Sequence, residues 1–260
     1  MAVDVAVEKI LRRDRLITLG GMITIIAVAW TYLGVLFAET TSMASALSEM
    51  VHPRPWTATE AWLVFVMWTA MMVAMMVPSA TPVILLYVRT HRRQSSEQHP
   101  LAPTAAFFTG YIVVWVAFSL AMTGLQWTLE RAMLFSPSMA GTSPLFGGVV
   151  LIAAGVYQWL PTKNVCLRHC RSPVEFLSTH WRTGGPGAFR MGLEHGAYCV
   201  GCCWALMILL FVGGVMSLLL VAAIALFVLV EKIAPFGRGM GRVGSILLTA
   251  WGVAVLRGGF

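Results

Sequence analysis

Two packets of cysteine and histidine hold the chemistry of this 260-residue chain. The first is Cys166-Leu-Arg-His169-Cys170. The second runs Glu194-His195-Gly-Ala-Tyr-Cys199-Val-Gly-Cys202-Cys203. Between them they contain all five cysteines of the chain. Thiolate and imidazole are the soft and borderline ligands that hold Cu(I) and Zn²⁺, whereas Mg²⁺ and Ca²⁺ want oxygen. The spacing sharpens the point. On a helix, residues three and four apart share a face. His195, Cys199, Cys202 and Cys203 would then offer one imidazole and two or three sulfurs from successive turns. Cys166, His169 and Cys170 do the same if their segment is helical. Glu194 is an i,i+1 neighbour of His195 and points elsewhere. A lone cysteine in an apolar helix is a small packing residue, but three within five residues, one turn from a histidine, outweigh that reading. The candidate metal ligands are therefore Cys166, His169, Cys170, His195, Cys199, Cys202 and Cys203.

A third constellation is the methionine ladder Met67, Met71 and Met75, with Met72 and Met76 as a parallel row. Such a stripe is ordinarily packing, because methionine is a flexible filler. Beside a thiol cluster it has a second reading, as a path of thioethers for a soft ion. Pro78 follows the ladder and would kink its helix, freeing backbone carbonyls.

These residues need elements to position them, and the composition says which. Hydrophobic residues make up 58% of the chain and charged residues only 11%, against about 25% charged in a soluble domain. The apolar residues fall in seven runs: 16–38, 61–88, 105–129, 145–160, 191–212, 215–230 and 243–256. Each is near the roughly 20 residues that cross a bilayer as a helix. The expected fold is all-α: a polytopic membrane protein of about seven transmembrane helices. It is read as one transmembrane helical domain over 1–260, with the first helix, 16–38, peripheral. That first run is too long for a signal peptide's apolar core, and it reads as an uncleaved helix.

The net charge of +7 is no nucleic-acid signal, because the basic residues are dealt out between spans. With the N-terminus inside, fifteen of the eighteen Lys and Arg lie on one side, and only Arg54, Arg131 and Arg257 on the other. This positive-inside bias gives N-in and C-out. Residues 39–60 are then an outside loop with a Pro-Arg-Pro turn. Residues 161–190 are the longest inside loop, carrying the first cysteine packet, and Gly213-Gly214 is a tight outside turn. Glu231-Lys232, ending the sixth span, reads as an interfacial pair. From an inner end near Arg190, at about 1.5 Å per residue, His195 and Cys203 lie on the order of 8 and 20 Å deep. Both packets thus belong to one half of the membrane.

Three strings together carry a resemblance: Trp68 to Ser79, Tyr157 to Pro173, and Glu194 to Met207. The chain resembles the predicted metal-binding integral membrane proteins of the DUF2182 family, over roughly 60–256 and without the first helix. The resemblance implies a multi-pass protein of the bacterial inner membrane with a metal site at the seven residues above.

The expectation is a soft-metal protein, with Cu(I) favoured over Zn²⁺ because methionine sulfur is a poor zinc ligand. It would act in metal transport or in delivery to a partner enzyme, with the lipid bilayer and a membrane partner or metalloenzyme client as its contacts and no nucleic acid. One alternative is a membrane thiol–disulfide oxidoreductase, which a reducing cytoplasm disfavours. Another is an accessory subunit with a structural Zn²⁺ site. No nucleophile–base–oxyanion arrangement, phosphate loop or dinucleotide fingerprint is present to support hydrolase or dehydrogenase chemistry.

Overall fold

The computed structural model describes residues 2–47, 56–94, 101–132, 143–215 and 217–258. The Pro-Arg-Pro turn of the first outside loop, the centre of the polar loop after Arg93, and Phe260 lie outside the described residues. Among those described there are nine helices and no strand: α1 (Ala2–Leu47), α2 (Ala58–Gln94), α3 (Leu101–Arg131), α4 (Pro144–Tyr157), α5 (Pro161–Arg171), α6 (Pro173–His180), α7 (Gly184–Val212), α8 (Leu218–Ile233) and α9 (Gly237–Leu256).

Among the described residues, each of the seven apolar runs is mostly helix. Five helices, α1, α2, α3, α7 and α9, are long and apolar enough to cross a membrane. The bent pair α4 and α5 raises the number to six. The count of seven is therefore approximate, since α8 has only 16 residues. The helix of the fourth run ends at Tyr157, and Pro161 after it starts α5 in its first turn, where a proline is tolerated but could not continue α4. The two helices meet at 64°.

The expected inside loop 161–190 is corrected by this bend. It is mostly helix, and α5 leans back onto α7 instead of lying in solvent. Leu167, Phe176 and Leu177 are buried on the inward face of α5 and α6, which is the physical reason: these short helices have an apolar side to cover. The Gly-Gly-Pro-Gly stretch is the first turn of α7, with Gly184 at φ 77°.

In a bilayer, helices associate by close packing of small residues rather than by the hydrophobic effect. Here α3 and α7 run side by side in backbone contact. A Cβ on Gly192 would collide with the carbonyl of Phe107, and one on Gly110 with that of Phe189. Antiparallel α4 and α9 meet the same way, Gly148 against Gly252 and Gly155 against Ser245. α2 crosses this core antiparallel to α3 and α7. Trp68 packs on Phe211, and its indole donates to Gln126 at 2.9 Å. α2 remains helical through Pro78 and Pro82.

Candidate functional site

The sulfur residues sit where α2, α5, α7 and α8 converge. His195, Cys199, Cys202 and Cys203 lie on the buried face of α7, as their three- and four-residue spacing requires. The thiols of Cys202 and Cys203 both donate to the Cys199 carbonyl, at 3.1 and 2.9 Å. That leaves each sulfur able to meet a neighbour on another helix.

α5 supplies the first neighbour. Cys170 Sγ is 3.9 Å from Cys202 Sγ, so the two packets meet. Cys166, one turn earlier, lies on Gly201 so closely that a Cβ there would come within 2.7 Å of its sulfur. The Tyr157 hydroxyl donates to the Gly201 carbonyl, fastening the bend before α5 to the same turn of α7. α2 supplies the second neighbour, Met76, whose Sδ is 3.8 Å from Cys203 Sγ. The Met76 carbonyl accepts from Ser79 at 2.9 Å and from the Tyr111 hydroxyl at 3.0 Å.

α8 supplies the third. Lys232 Nζ donates to Cys199 Sγ at 2.9 Å and to Ser79 Oγ at 3.2 Å. Tyr111 Oη is 3.2 Å from the same sulfur. This corrects the reading of Glu231-Lys232 as an interfacial pair, since both side chains are buried. Lys163 of α5 is buried too, and forms an ion pair with Glu231 at 2.5 Å while also donating to Gln158. The cause is again the bend. α5 covers the end of α8 and takes its own lysine into the core, where a charge is costly unless paired. Arg171 completes the cover by donating to the carbonyls of Glu231 at 2.7 Å and Ala234 at 2.8 Å, the last acceptors of α8.

The histidines stand to one side of the sulfurs. The His195 ring is packed among Phe176, Tyr111 and Phe107, at centroid distances of 5.0, 5.8 and 6.2 Å. Its Nδ1 is buried with no hydrogen-bond partner among the described residues. His169 stacks flat on Tyr198 at 4.1 Å. Of the methionines, Met67, Met71, Met72, Met75 and Met76 are all buried. Met76 reaches a thiol. Met67 and Met71 instead line a small cavity with Leu33 and Phe37 of α1 and Leu218 and Val221 of α8, toward the other end of the bundle.

Among the described residues, no three His, Cys, Asp or Glu side chains converge as a metal cage. The soft atoms meet in pairs, Cys170 with Cys202 and Cys203 with Met76, and Cys199 is held by an ammonium. Three members of this arrangement escaped the sequence reading. Tyr111 is one aromatic among many in an apolar helix and gives no signal. Lys163 and Lys232 look like ordinary residues at the ends of apolar runs; only the fold back of α5 makes them interior.

One family model, described as PpoB2, copper chaperone, matches residues 65–255. That span takes in the ladder and both packets and leaves out α1. No curated protein and no solved structure matches the chain.

Proposed function

The chain belongs to the PpoB2 copper chaperone family, and from that premise we propose that it carries Cu(I) as cargo on the sulfur atoms joining α2, α5 and α7, for delivery to a metalloenzyme client. The observation that carries the reading is the pairing of sulfurs from different helices, Cys170 with Cys202 at 3.9 Å and Cys203 with Met76 at 3.8 Å. A metal–thiolate bond of about 2.3 Å allows two sulfurs on one ion to stand up to roughly 4.6 Å apart. Both pairs fall within that reach without backbone movement.

A thioether opposite a thiolate suits Cu(I) better than Zn²⁺. Open pairs, as opposed to a closed four-ligand cage, also suit an ion that must leave again. Cys199 adds a third sulfur once Lys232 gives it up, and the unpartnered Nδ1 of His195 is a nitrogen ligand in reserve on the same face. The cavity at Met67 and Met71 is the entry, and the ladder through Met72, Met75 and Met76 leads from it to Cys203. In this reading the protein is a multi-pass protein of the bacterial inner membrane, N-in and C-out, with α5 and α6 at the cytoplasmic side.

The test is the copper content of protein purified anaerobically and loaded with Cu(I). X-ray absorption at the copper edge should give sulfur neighbours, and Cys202→Ser with Cys203→Ser, which breaks both pairs, should lower the sulfur count and the copper retained while the protein still inserts. Wild-type protein that takes up no copper under these conditions overturns the reading.

A further inference from the structure

Beside the sulfurs, the fold places two imidazoles together. His169 of α5 and His180 of α6 have ring centroids 5.9 Å apart at 80°. Both pack on Tyr198, the residue before Cys199: His169 flat at 4.1 Å, His180 edge-on at 6.0 Å. Both rings are half-buried, as are Cys166 and Cys170 on α5, whereas Cys199, Cys202 and Cys203 on α7 are buried. His180 belongs to neither cysteine packet.

The hydrogen bonds settle which nitrogen each ring offers. His169 Nδ1 lies 2.9 Å from the carbonyl of Val165. A carbonyl oxygen only accepts, so Nδ1 carries the proton. His180 Nδ1 lies 3.2 Å from the carbonyl of Phe176 and 2.8 Å from Thr179 Oγ1. The Thr179 hydroxyl already donates to the Glu175 carbonyl at 2.8 Å, so here too Nδ1 donates. Each ring therefore keeps its lone pair on Nε2, and neither Nε2 has a partner among the described residues. Anchoring one ring nitrogen to a carbonyl is how metal-ligating histidines are oriented. A metal bonded at about 2.0 Å to each Nε2 stands roughly 3.2 Å from each ring centre, so the centroid separation of 5.9 Å is within the roughly 6.4 Å that one ion bridges when both Nε2 turn to it.

We propose that His169 and His180 form a second, nitrogen-ligand copper site at the surface, through which the ion leaves the thiol cluster for the client. The proposal rests on the cargo reading above for its place in a sequence, but not for its chemistry. Imidazole is a harder ligand than thiolate and holds Cu(I) less tightly than paired sulfurs. A half-exposed pair of imidazoles next to the buried thiols of α7 is therefore a step downhill in affinity and outward in position.

The test uses full-length protein in detergent or nanodiscs, titrated anaerobically with Cu(I) against a chromogenic Cu(I) chelator and followed by X-ray absorption. Wild type should show copper–nitrogen as well as copper–sulfur neighbours. His169→Ala with His180→Ala should lose the nitrogen neighbours from the last-filled, weaker sites, keep the sulfur-bound copper, and slow transfer to the chelator. His180→Gln, which keeps a polar side chain of similar size, should do the same. Cys202→Ser with Cys203→Ser should have the opposite pattern, nitrogen neighbours kept and sulfur neighbours reduced. A double-histidine variant that still folds and shows unchanged nitrogen neighbours and transfer rate overturns the exit site and leaves the thiol reading intact. If only the sulfur neighbours are missing from wild type, the thiol reading falls and the histidine site stands.

Discussion

Lys232 and Cys199 face each other across α7 and α8, Nζ to Sγ at 2.9 Å, both buried. Among the described residues this ammonium has two hydrogen-bond partners, this sulfur and the Ser79 hydroxyl. Removing one member of such a pair exposes the cost of the other. Cys199→Ala is expected to destabilise the protein by about 1–3 kcal/mol, the penalty for a buried donor left short of a partner. Lys232→Met in the same chain should recover part of that loss. Thermal unfolding of the two single variants and the double variant measures the coupling. Additive effects would mean that the contact carries no stability.

The meeting of α5 with α7 has a chemical signature. A thiol oxidant such as diamide should link Cys170 to Cys202, detectable by peptide mapping, and Cys170→Ser should abolish the link. Loading with Cu(I) beforehand should protect the pair, because the same sulfurs would be occupied. If a different pair forms and this one does not, the sulfurs do not face each other in the protein.

The methionines are predicted to differ from one another. Met76→Leu keeps the volume, so it should cost less than about 1.5 kcal/mol, yet it removes the thioether 3.8 Å from Cys203 and should weaken copper retention. Met67→Leu with Met71→Leu should leave equilibrium retention as it is and slow loading. A copper-accumulation time course separates the two behaviours.

Glycines offer a graded test of the packing. Gly192→Ala is expected to destabilise by roughly 1–3 kcal/mol, as over-packing does, because the methyl group meets the Phe107 carbonyl on α3. Gly21→Ala, in open space on α1, should be neutral or slightly stabilising through helix propensity. Melting temperatures in detergent check both.

Orientation is the last prediction. Reporter fusions at Ser172 should be active only with a cytoplasmic reporter, because α5 and α6 carry Arg168, Arg171 and neighbouring basic residues on the side where positive charge is retained. A periplasmic reporter active at that position inverts the whole path.

The helices were legible from the sequence because lipid leaves the backbone no other choice, and apolar length declares a span. The shared face of His195, Cys199, Cys202 and Cys203 was legible for the same reason: helical periodicity is local. The fold back of α5 was not. Nothing near Pro161 says that the helix after the bend returns to the core. Without that turn, Lys163, Glu231 and Lys232 read as residues at a membrane surface. Tyr111 was hidden for a related reason, since its role depends on the register of α3 against α7, and glycine contacts set that register across 80 or so residues of chain.

The backbone contact of α3 with α7 at Gly110 and Gly192 decides which half of the molecule can yield. Two helices whose main chains touch have no side-chain layer to slide on, so they behave as a single strut. The thiols of α7 are fixed to that strut. α5 and α6 are short, follow a 64° bend, and are held by side chains: Lys163 on Glu231, Arg171 on the carbonyls of α8, and the buried Leu167, Phe176 and Leu177. Side-chain contacts can part where touching backbones cannot, so in the proposed reading a client that lifts α5 and α6 would carry Cys170, His169 and His180 away from a stationary Cys202. Docking and unloading would then be one movement.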